Sequence, residues 1–137
     1  MSPRRPARLF WSIRLAICAC RSGESLDGVR RCCTAESLSR RCVDQQGSLF
    51  VVDNGNNRVQ KFDNAGNFII LWGSFGSANA NFHNPTGIAC DGKGDVWVVD
   101  TNNHRVQKFD GKLGGYMMKF GSRGNGEGQF NAPWGIA

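Results

Sequence analysis

The chain has 137 residues, with 17 basic and 11 acidic side chains and a formal net charge of +6. Its length allows one ordinary domain, and its charge is lopsided: residues 1–41 hold nine Arg, no Lys and three carboxylates, whereas residues 42–137 hold eight basic and eight acidic side chains. The second part therefore has no basic surplus for a nucleic-acid footprint, and no stretch is long and apolar enough to span a membrane.

The most apolar run of the head is LFWSIRLAICAC, residues 9–20, broken by Arg14 and preceded by Arg4, Arg5 and Arg8. It reads as a poor signal peptide, as an Arg-rich transit peptide, or as the product of a mistaken gene start or fragment boundary. A targeting peptide in residues 1–22 implies a secreted or organellar protein, and its absence a cytoplasmic one. Residues 1–41 are expected to be irregular or weakly helical. Cys18 and Cys20, the Cys32–Cys33 pair and the lone Cys42 lack the C-x(2–4)-C spacing of structural zinc sites, so no RING or B-box module is expected. A disulfide framework is open if the chain is exported, with its pairing undetermined.

From residue 42 the chain reads as strands and turns. Residues 42–44 are the tail of a first strand, and 49–52 form a second. After an Asn-rich connection at 54–57, residues 58–62 and 68–72 give a third and a fourth. The plan then recurs. Pro85, which has no N–H to donate, opens a strand over 86–90. Residues 91–94 turn, and 96–99, 105–109 and 116–120 follow as strands. VVDNGNNRVQKFD at 51–63 returns as VVDTNNHRVQKFD at 98–110, identical at ten of thirteen positions. Further on the offset is 48: Gly73, Phe82, Pro85 and Gly87 return as Gly121, Phe130, Pro133 and Gly135. The drift of one residue is expected between Asp63 and Trp72, in a turn. Four short strands per repeat of this length make one propeller blade.

The string P-x-G-I-A-x-D-x-x-G-x-(V/L)-(W/F)-V-V-D-x-x-N-x-R-V-Q-K-F, followed by F-G-S-x-G-x-G-x-G-Q-F-N-x-P, resembles the NHL repeat. The resemblance covers about residues 42–137 and implies a β-propeller, usually of six blades. The expected fold is all-β: an incomplete propeller with two four-stranded antiparallel blades, about 42–85 and 86–133, and the first strand of a third at 134–137. The F-x-x-P-x-G-I opening of the first blade is missing, and Asn57 stands where the second repeat has His104. Two blades bury one interface and leave two apolar faces bare. The chain is therefore expected to belong to a larger propeller or to assemble with other copies.

Asp53 and Asp100, with Asn56, Asn103, Arg58 and Arg105, are the sharpest polar constellation. Recurrence in both repeats marks it as structural: a carboxylate at a strand end accepts turn N–H groups and pairs with Arg by a two-pronged hydrogen bond. Pro85, Gly87, Pro133 and Gly135 join the same structural motif. Residues 53–57 and 91–95 faintly echo calcium loops but lack the closing Glu. GSRGNGEG at 121–128 has no G-K-(S/T) and no following helix, so it is no phosphate cradle. His83 and His104 occupy unmatched repeat positions and fit loops better than a ligand set. Cys90 fits a small buried apolar residue, and Trp72, Trp97 and Trp134 fit packing roles. No catalytic residue, metal or cofactor is expected.

The binding candidates are the connections between the second and third strands, Asn54, Gly55, Asn56, Asn57 and Thr101, Asn102, Asn103, His104, which propellers gather on one rim. The expected function is a non-catalytic binding or scaffold module for a protein partner. The resemblance leaves two alternatives: an RNA-binding or substrate-recognising propeller of a tripartite-motif ubiquitin ligase, and a fragment of a peptidyl-amidating-lyase-like propeller. RNA is disfavoured by the neutral repeats and by loop tips without Lys or Arg. The lyase needs His ligands converging on the axis.

Overall fold

A computed structural model describes residues 40–137; the expectations for the rest of the head lie outside the described residues. The first sheet is formed by β1 (Arg41–Val43), β2 (Leu49–Asp53), β3 (Arg58–Phe62) and β4 (Phe68–Trp72), the second by β5 (Pro85–Cys90), β6 (Val96–Asp100), β7 (Arg105–Phe109) and β8 (Tyr116–Phe120). Each is a simple antiparallel meander, ordered β1-β2-β3-β4 and β5-β6-β7-β8. This is the all-β, incomplete propeller that the repeat implies.

Aspartates set the turns by the same device. Asp44 Oδ1 accepts the N–H groups of Gln46 and Ser48, Asp63 Oδ1 those of Ala65 and Asn67, and Asp91 Oδ1 those of Lys93 and Asp95. A carboxylate that satisfies two turn N–H groups fixes the hairpin without a long loop. The β3–β4 turn is one residue shorter than the β7–β8 turn, so the drift between repeats falls in a turn. In the second and third strands of each sheet, register brings Asp53 opposite Arg58 and Asp100 opposite Arg105.

The core lies between the sheets. Phe50, Val52, Val59 and Trp72 of the first meet Ile88, Val96, Val98 and Phe109 of the second, with Phe82 from the connection. Phe50, Phe82 and Phe109 are wholly buried. Trp72 packs on Phe50 and Phe109 with ring centroids 6.1 and 5.8 Å apart. Trp97 lies under the Lys108 ammonium, whereas Trp134, expected to pack, is 60% exposed.

Two further features depart from expectation. Residues 134–137 form no ladder, because they have no partner strand among the described residues. They lie instead against β5, where the Trp134 carbonyl accepts the Thr86 hydroxyl. Cys90 is no simple apolar filler: it is disulfide-bonded to Cys42, with Cα atoms 5.8 Å apart. The two cysteines lie in β1 and β5, the opening strands of neighbouring sheets, one residue apart in repeat register (Cys42 matches Ala89 and Val43 matches Cys90), and those strands run side by side.

Candidate functional site

The polar constellation of the second sheet grips the connection that links the sheets, residues 73–84. Asp100, fully buried, accepts the Arg105 Nε (2.7 Å) and the side-chain amides of Asn103 (2.9 Å) and Gln107 (3.2 Å) on Oδ2. Its Oδ1 accepts the backbone N–H of His83 at 2.8 Å. The far side of the Arg105 guanidinium donates to three carbonyls of the connection: Ser77 from Nη1, Ala78 and Asn81 from Nη2. Gln107 donates to the Asn81 carbonyl and accepts the Ala80 N–H, and Asn103 donates to the Gly76 carbonyl. One carboxylate thus aims three side chains at a loop of the preceding sheet, and a buried charge pair is kept fully hydrogen-bonded.

The connection is shaped for that grip. Gly73 has φ +99°, and a Cβ there would meet the Phe82 ring at 2.5 Å. Only glycine therefore lets Phe82 close over the strand end.

In the first sheet the same side chains hold no loop among the described residues. Asp53 Oδ2 accepts Asn56, Arg58 Nε and Gln60. Among the described residues, the Arg58 Nη atoms and Asp53 Oδ1 meet no further partner. The pair is correspondingly more exposed, 33% for the Arg58 and 24% for the Asp53 side chain, against 7% and 0% for Arg105 and Asp100. The Asn56 amide and the Arg58 guanidinium hold the Asp53 carboxyl below its ordinary value.

The candidate rim residues form two tight 3-10 turns, Asn54–Asn56 and Thr101–Asn103, each closed by a left-handed residue, Asn57 (φ 51°) or His104 (φ 54°). Both turns touch the segment 83–86. Asn54 Nδ2 donates to Asn84 Oδ1 and to the Pro85 carbonyl, the Asn102 N–H donates to the His83 carbonyl, and Thr101 shares a buried hydroxyl bond with Thr86. They therefore lie side by side. Gly55, Asn56 and Asn102 remain exposed, and the other five are partly or wholly buried.

The family model of the NHL repeat matches residues 42–62 and 82–109. The chain carries NHL repeats. No curated protein matches the sequence. Among solved structures, a protein of Bacteroides fragilis described as a candidate exported protein is similar with a TM-score of 0.52 at 14% identity, over 70% of this chain and 26% of that one. That likeness concerns the fold, and the chain spans about a quarter of the length of that structure.

His104 has a definable job here. His104 Nδ1 accepts the backbone N–H of Ala132 at 2.9 Å, and Asn57 Oδ1 accepts that of Asn84 at 2.8 Å. Ala132 and Asn84 are repeat equivalents, both left-handed at φ 49° and 57°. The position therefore needs a side-chain acceptor on a left-handed residue, a need that Asn meets as well as His. His104→Asn is expected to leave the urea midpoint nearly unchanged, and His104→Ala to lower unfolding free energy by about 1 kcal/mol, the net worth of one hydrogen bond.

His83 is turned to another use, its ring edge-on to Phe75 at 4.9 Å. In the echo at 91–95, Asp91 and Asp95 both reach Lys108 Nζ, at 3.4 and 2.8 Å. Burial opposes ionisation of Asp91, but the Trp97 N–H and the turn N–H groups lower its carboxyl overall, and the Asp95 bond raises Lys108. Sequence reasoning grouped Asp100 with Asn103 and Arg105 but missed their target. Gln107, repeated as Gln60, was the signal: a polar side chain within a strand between the buried Val106 and Phe109 needs a polar partner.

Proposed function

We propose that this NHL module is a non-catalytic binding scaffold whose protein partner lies on the rim formed by the Asn54–Asn56 and Thr101–Asn103 turns. The observation that carries the reading is the division of labour within those turns. Asn54, Asn57, Thr101, Asn103 and His104 are spent on fixing the backbone, while Gly55, Asn56 and Asn102 stand exposed on it. A rigid backbone with small, uncharged polar tips offers amide donors and acceptors at low ordering cost, which favours recognition of polypeptide. The Cys42–Cys90 bond supports work in an oxidising compartment.

The test is photo-crosslinking from a benzoylphenylalanine placed at Asn102, in extracts of the source cells. A discrete protein adduct that disappears when Gly55→Arg is added, with the circular dichroism unchanged, is the expected result. No adduct, together with a steeply salt-dependent affinity for single-stranded RNA, would replace protein by RNA.

A further inference from the structure

Every feature of the interface between the two sheets has a counterpart that is left open at the other end of the pair. On the first sheet, Trp72 is buried at 8% exposure and Ile70 packs into the core. Their equivalents on the second sheet, Phe120 and Met118, are 43% and 46% exposed. Phe82 is wholly buried, and its equivalent Phe130 only half-buried. On the receiving side, Phe109 is wholly buried and its equivalent Phe62 is not. Arg105 grips three carbonyls, while Arg58 presents the same fork to none among the described residues.

The segment that would fill the Arg58 fork already holds the required shape. Residues 121–132 repeat the backbone of 73–84. Gly121 matches Gly73 at φ 99°, Gly124 matches Gly76 at 157° against 151°, and Gly128 matches Ala80 at 70° against 65°. The parallel bridge Phe75–Phe82 recurs as Arg123–Phe130. The Phe130 N–H donates to the Ser122 carbonyl at 2.8 Å, as the Phe82 N–H does to Ser74. The loop is thus preorganised, and its docking costs little ordering entropy.

We propose that the chain assembles head to tail with second copies of itself. The loop 121–132 of one copy seats in the Asp53, Asn56, Arg58 and Gln60 cluster of the next, and the Met118–Phe120 face packs on the next copy's first sheet. By repeat equivalence, Arg58 receives the carbonyls of Asn125, Gly126 and Gln129, and Asp53 Oδ1 receives the N–H of Asn131. The contact is heterologous, so it closes only as a ring. Two to four copies give the four to eight blades that propellers use. Asn56 borders both surfaces, whereas Gly55 and Asn102 take no part in the assembly, so Gly55→Arg tests the rim reading and Arg58→Glu tests the assembly separately.

Sedimentation velocity of the full chain, oxidised, from about 1 to 100 μM spans the affinities of an interface of ordinary size. A closed assembly of two to four chains is expected. Arg58→Glu removes the receiving side and Met118→Glu the donating side, so each variant alone should sediment as one chain. Mixed in equal amounts, they should form a one-to-one pair, because each retains the half that the other lacks. A wild-type chain that stays single over the whole range overturns the proposal. So does an assembly indifferent to both substitutions, as when residues 1–39 occupy the Arg58 cluster. A mixture that fails to pair overturns it too.

Discussion

Arg105→Ala is expected to lower the unfolding free energy by about 3–5 kcal/mol, the cost of breaking a buried ion pair from one side. Arg58→Ala, at the identical repeat position, is expected to cost the single chain less than about 1 kcal/mol, the usual worth of an exposed pair. The residue, strand register and carboxylate partner are the same in both repeats; only the surroundings differ. Removing Arg105 strands the fully buried Asp100 and frees the Ser77, Ala78 and Asn81 carbonyls at once. Removing Arg58 leaves a carboxylate that water already reaches. Urea unfolding of dilute protein, followed by tryptophan fluorescence, measures both. Arg105→Lys should recover only part of the loss, because a single ammonium cannot serve Asp100 and three carbonyls in the planar fork that a guanidinium supplies. Equal losses for Arg58→Ala and Arg105→Ala would show that the grip on residues 73–84 is not what makes the difference.

The strands were legible because each repeat states its pattern plainly. Apolar runs such as 96–99 are bounded by Asp and Gly, and the second copy corroborates the first. The contacts between repeats were harder to read, since a local pattern does not say what a side chain reaches. Asp100, Asn103 and Arg105 were visible as a recurrent trio, but the loop they hold lies 17 to 28 residues upstream. The rim turns were placed correctly as connections. Their consumption by Asn84, Pro85 and Thr86 depends on how the sheets adjoin, which periodicity alone does not encode. Trp134 matched a repeat position but has no partner strand to cover it among the described residues.

The pairing of Cys42 with Cys90 was hidden for a different reason: Cys42 sits at the border of a Cys-rich head and was grouped with it. In the opening strands the repeat offset is 47, so Cys42 matches Ala89 and Val43 matches Cys90, and the repeat pattern alone does not align the two cysteines.

That bond closes a loop of 48 residues in sequence, and chain-entropy reasoning gives it a stabilisation of about 4 kcal/mol. Such a contribution is comparable to the net stability of a small domain. Oxidised protein is therefore expected to unfold in urea well above the midpoint of protein held in a non-denaturing thiol reductant. The double variant Cys42→Ala, Cys90→Ala should unfold near the reduced midpoint and respond no further to reductant, which separates this bond from any pairing among Cys18, Cys20, Cys32 and Cys33. A wild-type midpoint that ignores reductant would mean that the bond is absent or that its strain cancels its entropic gain, and unreduced peptide mapping would tell these apart. The two sheets also share Trp72, Phe82 and Phe109 at their common core. Reduction should therefore lower stability without separating the sheets, and the near-ultraviolet circular dichroism of Trp72 should survive in the absence of urea. Loss of that signal on reduction would mean that the covalent link, rather than the shared apolar core, holds the two repeats in contact.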